Sequence, residues 1–188
     1  MTQALTNRQR IRLLELARDA LRRYLSRGQT PRPTDTDPVL SEPRGVFVSL
    51  HIGDSLRGCI GTFSPSDPLM VTVVDMAIAA ATSDVRFSPV RSDELARIEI
   101  ELSVLSPLRR VTDVAEIQVG THGIFITRER RRGVLLPQVA TQYGWDREEF
   151  LRQTCRKAGL SADAWKDPQA VIEIFTAEVF SERTVDWG

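Results

Sequence analysis

Long apolar runs, paired cysteines, an excess of charge of one sign and nucleotide-binding loops are all missing from this chain of 188 residues. Each absence removes a class of function. The most apolar stretch, Leu69 to Ala81, is interrupted by Thr72 and Asp75. It falls short of the ~20 apolar residues that span a bilayer, so a buried helix is expected there and no membrane partner. The two cysteines, Cys59 and Cys155, are far apart and show no C-x-x-C spacing. That argues against a disulfide framework and for a reducing, cytoplasmic setting. Residues 1 to 12 are polar and basic, so no secretory signal is visible. Lysine plus arginine equals aspartate plus glutamate at 25 each, leaving no overall field to draw nucleic acid or an acidic membrane. G-x-x-x-x-G-K-S/T, G-x-S-x-G and H-E-x-x-H are absent, and no ligands sit at metal-site spacing, so no cofactor and no metal are expected.

What is present is an ordinary globular composition, 41% hydrophobic and 27% charged. A chain of this length buries roughly 70% of its unfolded surface, enough for a core without staples, as one domain or one domain with an inserted lobe. Thr6-Asn7-Arg8-Gln9 has the form of a capping box, and apolar residues from Ile11 to Leu25 recur at helical spacing as far as Gly28. Gln29 to Pro43 reads as an extended surface connection. Ser64 to Pro68 closes a strand and opens a helix to about Thr82, with Asp67 as N-cap and Pro68 first in the helix. Thr72, Asp75 and Thr82 form that helix's polar stripe, facing either solvent or a site. Ile98 to Ser106 alternates strictly, which argues an antiparallel sheet with one wet face. After Pro107 the texture changes to short strands near Gly123 to Thr127 and Gly133 to Leu136 and short helices after Pro137 and Asp146. Val171 to Phe180 is apolar on both sides and is expected as one central strand.

The stretch with the most to explain is Ser55 to Phe63, S-L-R-G-C-I-G-T-F, where Cys59 sits between two glycines. Glycine weakens a strand interior unless another segment or a ligand approaches the backbone. Gly45 to Ile52 alternates, with Val46, Val48, Leu50 and Ile52 on one side and Phe47, Ser49 and His51 on the other. A hairpin that keeps the apolar side apolar pairs Ile52 with Leu56, Leu50 with Gly58 and Val48 with Ile60 across a three-residue loop. The other face then carries Ser49 opposite Cys59 and His51 opposite Arg57. Two readings stay open for Cys59. Free cysteine is among the most buried residue types and often fills a small space. A cationic neighbour, however, favours the thiolate, the nucleophilic and metal-binding form.

Other candidates lie outside that stretch. In Asp84-Val85-Arg86-Phe87-Ser88-Pro89-Val90, Arg86 can hold an anion bidentately or pair with Asp84 to brace the loop. His122 can act as general base or thiol partner, or bond to nearby backbone. Arg128 to Arg132 is a basic hairpin tip that lacks interleaved aromatics, so nucleic-acid binding there is disfavoured. Cys155, at helical spacing with Phe150, Leu151 and Thr154, reads as core.

Leu56-Arg57-Gly58-Cys59-Ile60-Gly61 resembles the L-R-G-C-I-G signature of the AMMECR domain family, the AMME syndrome candidate region proteins, also called AmmeMemoRadiSam system protein A. The likeness continues in family order through Asp84 to Val90, Gly120-Thr121-His122-Gly123-Ile124, Gly133 to Val139, Gly144-Trp145-Asp146 with Phe150-Leu151, and Lys157 to Leu160. It covers about Val46 to Glu182. Val85 stands where the family commonly has proline. The resemblance implies an α+β fold: a larger body of about residues 1–106 and 168–188, built on an antiparallel sheet with packed helices, and a smaller α/β lobe of about 107–167. The L-R-G-C-I-G strand would face the cleft between them. It also implies Memo-type and radical-SAM partners, and a homo-oligomer is possible. It brings no established activity. The expectation drawn from residues and resemblance together is an accessory or enzyme-like component of a modification pathway. Cys59 would be its nucleophile or ligand, His122 the proton partner, and Arg57, Asp84 and Arg86 the substrate-holding groups. The competing expectation is a non-catalytic interaction module.

Overall fold

A computed structural model describes residues 4–63 and 65–188. Ser64, expected to begin the turn after the glycine-flanked strand, lies outside the described residues, as do residues 1–3. The chain falls into two compact units, Met1–Leu105 with Glu178–Gly188 and Ser106–Ala177.

The first unit opens with α1, Asn7–Arg27. Its capping box is present: Gln9 N–H donates to Thr6 Oγ1 at 3.3 Å and Thr6 N–H donates to Gln9 Oε1 at 2.9 Å. Gly28 ends it in the left-handed region at φ 66°, where a side chain would be strained. The connection expected as wholly extended contains one short helix, α2, Pro38–Ser41, which buries Val39 and Leu40. Asp37 caps it and also accepts from Gln9, while Asp35 pairs with Arg12, so the proline-rich segment is tied down onto α1.

Next come β1, Val46–Ile52, and β2, Ser55–Thr62, followed by α3, Leu69–Thr82. The start of α3 differs from expectation by one residue, because Pro68 is extended at ψ 146° and occupies the cap position itself. The polar stripe of α3 is spent locally: Thr72 is buried and donates to the Pro68 carbonyl, Thr82 donates to the Ile78 carbonyl, and Asp75 accepts from Arg32. A 3-10 turn over Ser92–Arg97 leads to β3, Ile98–Leu105, antiparallel to β1. Val46, Val48, Leu50, Ile100 and Leu102 are buried on one face of the sheet in a cluster shared with α1 and α3.

The second unit holds β4, Arg109–Arg110; β5, Gly123–Arg128; β6, Arg131–Leu135; α4, Pro137–Gln142; α5, Arg147–Lys157; and β7, Val171–Phe175. Its antiparallel sheet has the order β4-β7-β5-β6. Ile124, Ile126, Ile172 and Ile174 pack with Phe150, Leu151 and Cys155. Burial pushes the Cys155 thiol up, so it stays neutral in the core.

The expectation of one central strand from Val171 to Phe180 is corrected. The run divides at Thr176 into β7 and β8, Ala177–Ser181, and β8 joins the other sheet, whose order is β2-β1-β3-β8. Thr176 cannot continue either ladder, because its N–H donates to Ser106 Oγ and its carbonyl accepts from Ser106 N–H. Apolar residues on both sides of the run are thus the sum of two half-buried strands. With helices and two antiparallel sheets, the fold is α+β.

Candidate functional site

The hairpin of β1 and β2 fixes where the thiol points. Ser49 lies opposite Cys59, Val48 opposite Ile60 and Leu50 opposite Gly58, the phase that the apolar pattern demands. The Cys59 sulfur therefore sits on the face away from the core, half-buried, with Ser49 Oγ at 3.3 Å. Glu101 on β3 also faces Ser49, so Cys59, Ser49 and Glu101 form one row across three strands.

The turn reaches that phase by a different route from the one expected. A two-residue Gly53-Asp54 turn, with Gly53 at φ 59°, pairs Ile52 with Ser55 and His51 with Leu56. Left there, the register would place Cys59 on the core side. A bulge then leaves Arg57 without an opposite residue and restores the phase. The expected pairs of Ile52 with Leu56 and of His51 with Arg57 are therefore not formed. His51 instead lies between Leu56 and Glu99, its Nε2 buried and without a partner among the described residues.

Both flanking glycines answer to internal packing. A Cβ on Gly58 would run into the Ala80 carbonyl oxygen of α3, and one on Gly61 would run into the Phe47 ring and lie 2.6 Å from the Val46 carbonyl oxygen. No ligand is needed to account for either.

β2 is an edge strand, so the Cys59 peptide has no ladder partner on its outer side. Side chains supply one. Cys59 N–H donates to Asp84 Oδ2 at 2.8 Å, and Arg86 Nη2 donates to the Cys59 carbonyl at 3.4 Å. Asp84 and Arg86 are themselves joined by a two-pronged pair at 2.9 and 2.7 Å. Asp84 is only 6% exposed, yet the hydrogen-bonded guanidinium, helped by the N–H groups of Cys59 and Arg86, holds its carboxyl well below the usual range. The Arg86 guanidinium is raised in turn, first by Asp84 and to a smaller extent by Cys59. The guanidinium also lies over the Phe87 ring, 5.4 Å from the centroid, its Nη1 makes no hydrogen bond among the described residues, and the side chain is half-exposed.

Arg57 reaches away from the strand. Its guanidinium donates to both Glu94 oxygens, at 2.8 and 3.0 Å, and to the carbonyls of Ser88 and Pro89. Glu94 is lowered to about 2 by Arg57 and by the Arg91 N–H that it also accepts. Glu94 escaped the sequence reading; the available signal was an acid three residues after Arg91, at the start of a helical turn.

Cys59, Asp84 and Arg86 are thus brought together at one strand edge of the first unit, while the Arg57 side chain is directed elsewhere, to Glu94 and the loop. His122 belongs to the second unit, just before β5. Its Nδ1 accepts from Gln118 N–H at 3.1 Å, and burial followed by the charge of Arg109 pushes its pKa down. The neutral ring then carries its proton on Nε2, which makes that nitrogen a donor. In the basic hairpin, Arg128 pairs with Asp167 and Arg131 donates to the Gly159 carbonyl, while Arg130 and Arg132 are exposed. Among the described residues no group of three or more His, Cys, Asp or Glu could hold a metal ion, and no helix is long and apolar enough to cross a membrane.

Comparison with known proteins gives these residues relatives. The family model described as AMMECR1 matches residues 14–180. A protein of Methanothermobacter thermautotrophicus is 44% identical over 177 residues, covering 90% of this chain and 92% of the relative. One of Methanopyrus kandleri is 44% identical over 180 residues, covering 91% of this chain and 87% of its own. The crystal structure of the uncharacterized protein PH0010 from Pyrococcus horikoshii superposes with a TM-score of 0.81 at 40% identity, covering 92% of this chain and 91% of that one. None of these three names states an activity.

Proposed function

The chain belongs to the AMMECR1 family, and from that membership and the setting of Cys59 we propose an accessory or enzyme-like component of a modification pathway shared with Memo-type and radical-SAM proteins. Cys59 is its nucleophile or ligand. The observation that carries this reading is a half-buried sulfur on the outer sheet face, beside Ser49, with a main chain pinned by Asp84 and Arg86. A thiol serving only as filler has no use for such fixing. In this reading Arg86 keeps two duties: Nη2 holds Asp84, and Nη1, which makes no hydrogen bond among the described residues, receives an anionic group of the substrate. Arg57, with its donors spent on Glu94 and two carbonyls, acts through the loop that it braces. His122, which belongs to the second unit and is a donor through Nε2, takes no part in the reading built on Cys59.

The test is the alkylation rate of Cys59 by iodoacetamide followed against pH, with buried Cys155 as internal control. A rate still high below about pH 7 supports the assignment, and a rate that tracks a free peptide thiol at every pH removes it. Separately, Cys59→Ala should abolish turnover of whatever small molecule changes when the protein co-purifies with Memo-type and radical-SAM partners.

One observation favours the interaction-module reading instead. Val85 is 98% exposed at the tip of a turn closed by the Phe87 N–H to Asp84 carbonyl bond, beside half-exposed Arg86. Under that reading Val85→Asp abolishes partner binding while Cys59 alkylation stays as in the parent.

A further inference from the structure

We infer that Asp84 is the positioning residue for Cys59, standing with Arg86 in place of a neighbouring strand, and that Glu94 is a second positioning residue behind it. The inference rests on Cys59 being the working group. An edge strand leaves outward N–H and C=O groups without ladder partners. At Cys59 both are taken by side chains: the Asp84 carboxylate accepts as a strand carbonyl would, and the Arg86 guanidinium donates as a strand N–H would. Together the two side chains imitate one residue of a fifth strand, at the residue of β2 that bears the thiol.

The choice of groups indicates more than edge capping. A neutral amide or hydroxyl could accept one N–H without burying a charge, which is costly unless fully paired. An aspartate sealed to 6% exposure also grips Arg86 with two parallel bonds and accepts the Arg86 N–H at 3.1 Å. The fork therefore fixes three things relative to one another: the Cys59 peptide, the sulfur that hangs from it, and the Nη1 of Arg86.

The far end of the loop is fixed by the same strand. Arg57, put out of register by the bulge, reaches Glu94 and the carbonyls of Ser88 and Pro89, and Glu94 closes onto Arg91 N–H at 2.8 Å. Val90, buried in the core, bonds through its N–H to the Ala81 carbonyl. The strand holds the loop through the Arg57 side chain, and the loop holds the strand through the Cys59 main chain.

The experiment measures two independent quantities on the full chain: amide exchange of Cys59 by NMR and iodoacetamide alkylation at fixed pH. The variants are Asp84→Ala, Asp84→Asn and Glu94→Gln. Removing a charge-assisted bond to the Cys59 N–H should speed its exchange about tenfold or more in Asp84→Ala, with β1 and α3 amides unchanged. Asp84→Asn keeps an acceptor and should restore most of that protection, but without the charged fork its alkylation should differ from the parent severalfold. Glu94→Gln should speed exchange of the Cys59 amide and change its alkylation rate, both less strongly than Asp84→Ala. A Cys59 amide that exchanges freely in the parent, or variants that lose only melting temperature while both quantities stay put, would overturn the inference. An inert parent thiol defeats the functional reading, and the exchange measurement still decides whether the clamp exists. Should Asp84→Ala not fold, Asp84→Asn and Glu94→Gln carry the decision.

Discussion

A methyl group added at Gly58 has nowhere to go. Its obstacle is the Ala80 carbonyl oxygen, a backbone atom in the last turn of α3 that cannot rotate aside. Gly58→Ala should therefore cost about 3 kcal/mol in denaturant unfolding, at the upper end of ordinary overpacking. Gly53→Ala meets open space but is held at φ 59°, so its cost is strain alone, about 1 kcal/mol. Equal losses at the two sites would contradict this division. The direction of the Cys59 sulfur was legible in the sequence because the alternation of Val46, Val48 and Leu50 admits only one phase for the facing strand. Phase, however, says nothing about how many residues the turn contains. Hence the Gly53-Asp54 turn and the bulge at Arg57 were invisible, and with them the fate of the Arg57 side chain. The pairing of Glu94 with Arg57 was hidden for a related reason: 37 residues separate the two, and the local pattern at Arg91 does not point to it.

Where an element is specified by its own residues, expectation and structure meet closely. α1 runs from the capping box to the glycine that ends it, and Thr6→Ala should destabilise the protein by about 1 kcal/mol by thermal or chemical unfolding. The 3-10 turn over Ser92–Arg97 and the loop before it depend instead on a charge. Glu94 is depressed from 4.5 to about 2 by Arg57 and the Arg91 N–H. A depressed carboxylate contributes stability above its unfolded value and loses it as pH falls through the folded one. The gap in stability between the parent and Glu94→Gln should be full at neutral pH and close as pH drops from about 4.5 to about 2. A gap that does not change with pH would mean that the carboxylate's charge is not what holds the turn. The least legible element was the run from Val171 to Phe180. Even-numbered apolar residues continue in phase from Ile172 and Ile174 to Phe180, so nothing in the period marks the change of sheet at Thr176.

On the scale of the whole molecule, each unit has a hydrophobic cluster of its own, one around Leu13, Val48 and Ile100 and one around Ile124, Phe150 and Ile174. The two ends of the second unit are tied to each other, with Ser106 N–H on the Thr176 carbonyl at 2.9 Å and Thr176 N–H on Ser106 Oγ at 3.0 Å. Residues 106–177 expressed alone should therefore fold, marginally for a segment of about 70 residues. Cooperative unfolding followed by fluorescence of Trp145 and Trp165 would show it, and a featureless melt would refute it. The place where the chain returns to the first sheet left no mark in the sequence. That return has a consequence for biosynthesis. Arg18 pairs with Glu182, which also accepts Ile100 N–H, and β8 closes the edge of the sheet begun at Val46. A ribosome must finish the entire intervening segment before this edge exists. Until then nascent chains expose an open β3 flank, vulnerable to proteases and eager for chaperones.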